Sequence, residues 1–192
     1  MEHLINQMKE DLDSLLVIDR KEYIKLFQFL KIKSYRKGEV LKSHEELEMV
    51  SRYIFSGDIA EYEYRDKKLY CRKIFSAQET ACDFESYWSE EKSNITLKAF
   101  TDVQVGELHK ADEFNVIEYI PVFAKLALKI NHRMTKIDQQ WKRLHYMEKK
   151  DAYNSLQKIC RVFGLLQVLE ISAILNIPER SVFRIRKELS QE

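Results

Sequence analysis

The hydrophobic period of this chain changes twice, and that change limits the folds open to it. Up to about residue 31 apolar side chains recur at three and four, as in Leu12, Leu15 and Leu16, then Tyr23, Leu26, Phe27 and Leu30. From about 32 to 112 the period falls toward two, and from about 113 onward it is helical again. Strands gathered into one block, instead of alternating with helices, exclude a doubly wound parallel sheet. The pattern predicts an α+β fold: two short amphipathic helices, an antiparallel roll or sandwich of roughly six to eight short strands, and a helical C-terminal third. Only four Gly and two Pro punctuate 192 residues, so the boundaries rest on periodicity.

Inside the strand block two turn signals stand out, Ser56-Gly57-Asp58 and Arg65-Asp66-Lys67-Lys68. The segments around them are rich in Tyr, Ile and Phe, which suit a pleated surface, and Glu61 and Glu63 alternate with Tyr62 and Tyr64 as on a half-exposed strand. Residues 79–93, ETACDFESYWSEEKS, show no alternation and predict a short helix and loop, with Tyr87 and Trp88 expected as core.

The helical third carries a narrow apolar seam. Ile120, Ala127, Met134 and Trp141 are spaced by seven, and Phe123, Ile130, Ile137 and Leu144 repeat at the same interval, offset by three. Such a seam marks a helix packed along its length on another helix. About 25 residues of helix span roughly 37 Å, more than a small roll covers easily. The seam therefore predicts a parallel two-fold dimer through these eight residues, as against burial of the helix on its own domain.

The final segment, VLEISAILNIPERSVFRIRKEL, reads as a helix-turn-helix. Ile171, Ile174 and Leu175 form one apolar face, and Ser172 is small enough for a second helix to approach. Asn176 suits the left-handed helix end, Ile177 is apolar inside the turn, and Pro178 suits the start of the next helix. Val182, Ile185 and Leu189 are then the buried face of that second helix. By subtraction Arg180, Phe183, Arg184 and Lys187 share the exposed face, with Ser181 beside it and Arg186 nearer its edge. In a major groove Arg can hold guanine bidentately, Phe can touch a thymine methyl, and Lys can hold a phosphate.

Composition sets limits on this reading. The net charge is +1, so any polyanion must be met by a local patch. Three separated cysteines, Cys71, Cys82 and Cys160, fit a reducing compartment, and neither they nor the five His have metal or iron–sulfur spacing. No signal peptide, membrane-span length, phosphate loop or nucleophile elbow is apparent, so a cytoplasmic, non-membrane, non-enzymatic protein is expected.

The segment 168–189, and FRIRK within it, resembles the helix-turn-helix of the Crp/Fnr family of bacterial transcription regulators. YRKGEVL and YIFSGDIAEYEY look like the opening strands of that family's cyclic-nucleotide-binding-type β-roll, and DAYNSLQKI like the helix before its DNA-binding motif. The resemblance covers nearly the whole chain. It implies an effector roll over 1–115, a dimerisation helix over 116–145 and a winged-helix-like DNA-binding domain over 146–192, with recognition helix 178–189. It also implies a homodimer on a pseudo-palindromic operator in double-stranded DNA, RNA polymerase as a further partner, and an unidentified small-molecule effector or none.

Departures from the family pattern temper what carries over. The cyclic-phosphate cassette is missing: Glu79 has no preceding Gly, no Arg lies between Lys73 and Lys110, and Asp83, Glu85, Glu90 and Glu91 would repel a phosphate. Cyclic AMP, haem and an iron–sulfur cluster are not expected. The recognition helix begins Glu179-Arg180 where many relatives have Arg before Glu, and 159–169 leaves little room for a wing. The competing expectation is a protein-interaction or ligand-binding module that has lost DNA binding.

Overall fold

The computed structural model describes residues 1–191. Helix α1 (Glu2–Leu12) buries Leu4, Ile5, Met8 and Leu12, a face repeating at three and four. Helix α2 (Arg20–Leu26) starts where the Asp19 carboxylate accepts the Lys21 N–H at 3.1 Å. Eight strands follow: β1 (Lys31–Tyr35), β2 (Val40–Lys42), β3 (Val50–Ser56), β4 (Asp58–Arg65), β5 (Lys68–Ser76), β6 (Thr80–Ala81), β7 (Ile95–Ala99) and β8 (Val103–His109). They form two antiparallel four-stranded sheets, ordered β1-β8-β3-β6 and β2-β7-β4-β5. Between β6 and β7 lies the expected short helix, α3 (Phe84–Ser89). Tyr87 is buried as expected, but Trp88 is 70% exposed.

Both turn signals hold. Gly57 turns β3 into β4 at φ +80°, and a Cβ there would sit 2.0 Å from the Asp102 carbonyl oxygen. Only glycine fits this corner. The β4–β5 hairpin closes on the pair Arg65–Lys68 around a two-residue loop in which Asp66 and Lys67 have φ of 50° and 61°. The space between the sheets is filled by side chains, among them Ile54, Ile59, Leu97 and Val105.

The helical third differs from expectation at its start. Helix α4 (Lys110–Tyr119) stops before Pro121, and the long helix α5 runs Val122–Arg143. Proline cannot donate to the preceding turn, and it disfavours helical geometry in the residue before it. Ile120 therefore lies outside the long helix, with φ −135°. The seam is also divided between two cores of the same chain. Ile120 and Phe123, with Ile130 partly, pack among α1, α2 and β3. Trp141 and Leu144, with Ile137 partly, pack against the C-terminal helices. Of the eight seam residues only Ala127 and Met134 keep free surface without joining either core. A continuous eight-residue dimer seam is thus corrected: its ends are used inside the monomer.

The C-terminal module consists of α6 (Lys149–Ile159), α7 (Val168–Leu175) and α8 (Glu179–Leu189). Residues 160–167, where a wing hairpin would lie, contain a single 3₁₀ turn, Phe163–Leu165, and the described residues after His109 contain no strand. The expected wing is therefore not seen among the described residues: the link between α6 and α7 closes through the turn at Phe163–Leu165 and no strand pair forms there.

Candidate nucleic-acid interface

The helix pair is built as its sequence implies. Asn176 ends α7 in the left-handed region, φ 51° and ψ 46°. The Ile177 N–H donates to the Ser172 carbonyl at 3.1 Å, and the Ser172 hydroxyl donates to the Ile177 carbonyl at 2.6 Å, so one residue clamps the turn from both sides. Pro178 occupies the cap position of α8, one residue before the place expected for it. Ile171 and Ile174 of α7 share one core with Val182 and Ile185 of α8, with Leu189 partly buried on it.

That packing fixes the outer face of α8. Arg180, Phe183, Arg184 and Lys187 are exposed, Phe183 at 58%. Arg184 Nε lies 3.8 Å from Glu188 Oε1, an exposed pair that a stronger anion displaces easily. Arg186 is exposed but its Nε donates to the Tyr153 hydroxyl at 3.2 Å, so this edge residue is tethered to α6. Ser181 is only 6% exposed. It lies four residues before Ile185, on the buried side, and the expectation that it borders the exposed face is corrected.

The module does not hang free of the roll. Helix α7 lies on β5, and Ala60, Cys71 and Ile74 of the roll belong to the same core as Trp141, Leu156, Ile171 and Ile174. Polar contacts cross the same junction. The Tyr62 hydroxyl donates to Glu170 at 3.5 Å, and the Arg161 guanidinium donates to the Ala77 carbonyl at 3.0 Å. Lys73 of β5 reaches Glu61 at 3.2 Å and Asp138 of α5 at 3.1 Å. Burial opposes the charge on Asp138, but Lys73 and Lys142 outweigh it and hold the carboxyl below its usual range. None of this junction was anticipated from sequence, because its polar contacts join positions 65 to 108 residues apart.

The roll's buried charged residues are committed to one another. Lys42, 2% exposed, donates to Asp83 at 2.6 Å and to the Ile95 carbonyl at 2.9 Å. Arg52 donates to Glu48 at 2.8 Å, and its Nε, 3.7 Å from Glu107, is unsatisfied by any hydrogen bond. A separate cavity of about 360 Å³ lies between the roll and α5, lined by Phe75, Phe84, Trp88, Met134 and Trp141, with Lys73, Glu79 and Asp138 as its charged groups. Burial raises the Glu79 carboxyl above its usual range. Among the described residues no cluster of His, Cys, Asp and Glu could hold a metal ion, and no helix is long and apolar enough to cross a membrane.

An antiparallel roll, a long helix laid across it and a terminal helix-turn-helix define the architecture of this chain. Solved structures share this architecture. A CooA mutant from Carboxydothermus hydrogenoformans matches with TM-score 0.66 and 14% identity, over 87% of this chain and 79% of that one. The c-di-GMP responsive global regulator CLP of Xanthomonas campestris matches with TM-score 0.64 and 10% identity, over 90% and 92%. The catabolite activator protein of Thermus thermophilus matches with TM-score 0.54 and 17% identity, over 94% and 87%. No protein-family model matches the sequence, and no curated protein does. The chain therefore has the fold of the Crp/Fnr regulators, shown by its architecture and not by its sequence.

Proposed function

We propose that this chain is a homodimeric transcription regulator that reads double-stranded DNA through α8. One observation carries the reading: Arg180, Phe183, Arg184 and Lys187 point outward together from a helix whose opposite face is locked onto α7. In a two-fold dimer the paired helices would enter successive major grooves about 34 Å apart on a pseudo-palindromic operator. Arg184 reads a base, Arg180 and Phe183 contribute base or methyl contacts, and Lys187 and Arg186 hold the backbone.

The dimer uses what remains of α5 outside the monomer's cores. Ala127 and Met134 share an uncharged strip in the middle of the helix with Asn131 between them, and the 70% exposed Leu128 stands about 100° round from Ala127. The exposed Lys125, Lys129 and Lys136 would repel their copies if they faced a parallel partner, so the pairing runs along the uncharged strip. A cyclic phosphate is not the roll's effector. Lys42 and Arg52 are already paired with Asp83, Glu48 and Glu107, so each would have to give up a buried carboxylate partner. The cavity beside α5 suits an aromatic, uncharged or cationic molecule better, and RNA polymerase is the natural further partner in the cytoplasm of a bacterium.

The experiment is selection of bound sequences from random duplexes by the wild-type chain, followed by Arg184→Ala. The substitution should weaken the selected site by about 1–3 kcal/mol and relax preference at one base pair. Failure of the wild type to bind any duplex at low salt would favour a protein-binding module, a reading to which the Arg186–Tyr153 contact lends support.

A further inference from the structure

The β4–β5 hairpin is not absorbed by the role given to α8. It is a basic exposed loop beside the helix pair, and its backbone has an unusual feature. Residues 64–69 are all exposed, and Arg65, Lys67 and Lys68 lie among them against the single acid Asp66. Lys67 is held at φ 61°. A two-residue hairpin loop with both residues left-handed strongly favours Asn or Gly, because a side chain with a Cβ is strained there. Asp66 is an acceptable occupant, whereas Lys67 retains a charge where glycine would relieve the backbone.

The hairpin's position gives that charge a destination. Arg65, Tyr70 and Arg72 line the same cleft, about 630 Å³, as Asn176 and Pro178, the turn that delivers α8. The Arg65 guanidinium lies 4.9 Å from the centre of the Tyr70 ring, which steadies it at the cleft's edge. Tyr62, three residues before Arg65, is the one whose hydroxyl reaches Glu170 in the first turn of α7. The hairpin is thus fastened along the helix pair. Meanwhile residues 160–167 form no wing that could grip a phosphate backbone beside α8.

We infer that the tip of the β4–β5 hairpin, Arg65, Lys67 and Lys68, grips the DNA phosphate backbone next to the recognition helix and takes the place of a wing. The inference rests on DNA reading by α8, and the partner is the sugar-phosphate backbone of duplex DNA, met through charge and not through base edges. Contacts of this kind raise affinity on every sequence and steepen its salt dependence, by about 0.9 in the logarithmic slope per phosphate neutralised.

The test compares the wild type with Lys67→Gly and with the triple variant Arg65→Gln, Lys67→Gly, Lys68→Gln on the selected duplex across a salt series. Lys67→Gly relaxes the turn, so its melting temperature should equal or exceed that of the wild type, and any loss of binding cannot be ascribed to unfolding. Its logarithmic salt slope should be shallower by about 1, and that of the triple variant by about 2–3, with sequence preference unchanged. Arg184→Ala should do the reverse, relaxing preference with less change of slope. Wild-type slope and affinity in both hairpin variants would overturn the inference and leave α8 as the sole reader. A wild-type chain that binds no duplex would overturn both.

Discussion

Three positions with positive φ do most to shape the functional end of this molecule and its supporting corner. Asn176 sets the angle between α7 and α8, Lys67 caps the hairpin beside them, and Gly57 turns the chain between the two sheets. They differ in how freely they can be replaced. At Gly57 a methyl group would meet the Asp102 carbonyl at 2.0 Å and the Val103 Cα at 2.8 Å, both of them backbone. Neither can swing aside as a side chain would. Gly57→Ala should therefore cost about 3 kcal/mol or more, from the left-handed strain and the overlap together. Urea unfolding followed by circular dichroism checks this, and a midpoint unchanged from wild type would show that the β3–β4 corner is looser than its geometry implies. Asn176 and Gly57 could be identified in the sequence because their residue types announce a left-handed backbone. Ser181 was expected beside the exposed face and is 6% exposed; its place four residues before the buried Ile185 already carried that answer in the sequence.

Helix α5 shows why a hydrophobic seam names a face but not a partner. The eight seam positions are apolar because one side of the helix is covered, and the sequence alone left self-pairing and intramolecular burial both open. The structure covers the two ends with different parts of the same chain: α1, α2 and β3 around Phe123, and the C-terminal helices around Trp141 and Leu144. A helix of 22 residues is about 33 Å long, and its middle is left over. The two ends and the middle should respond differently to substitution. Trp141→Ala empties a buried site and should destabilise the monomer by about 3–5 kcal/mol, to the same extent at every protein concentration. Met134→Lys should leave the monomer's melting temperature nearly unchanged at high dilution but convert dimer to monomer, read by analytical ultracentrifugation. A Met134→Lys protein that still sediments as a dimer would move the interface off α5. The strands, the short α3 and the helix pair were all legible from period and turn residues. The break at Pro121 was legible in principle too, since proline so near the seam's first position argues against a helix running through it.

Taken together, the roll and the helix-turn-helix form one packed body, and this was the least visible feature in the sequence. Cys71 on β5 and Cys160 after α6 are 2% and 3% exposed in a common core, although 88 residues lie between them in the sequence. No periodicity within either segment could reveal that they share an environment, because the contact depends on how α7 settles on β5. Acting as proposed, by a change in the attitude of its helix pair, the chain would have to open this junction, and the cysteines offer a direct report of such opening. Burial pushes the Cys160 thiol up to about 11 and the Cys71 thiol well above its ordinary value, so in the closed form neither supplies thiolate at neutral pH. Cys82 is buried elsewhere, beside the Glu48–Arg52 pair of the roll, and its thiol is raised by the same desolvation. Tyr62→Phe with Arg161→Ala removes two hydrogen bonds that cross the junction, to Glu170 and to the Ala77 carbonyl, and leaves the apolar core nearly intact. At about 1 kcal/mol net per bond, alkylation of Cys71 and Cys160 should quicken roughly tenfold or more in the double variant. Cys82 should keep its wild-type rate, because the roll's own core is untouched. Mass spectrometry of pulse-labelled protein distinguishes the three sites. Equal acceleration at all three would mean that the chain opens as a single cooperative unit, and that the helix-turn-helix cannot be released while the roll stays folded.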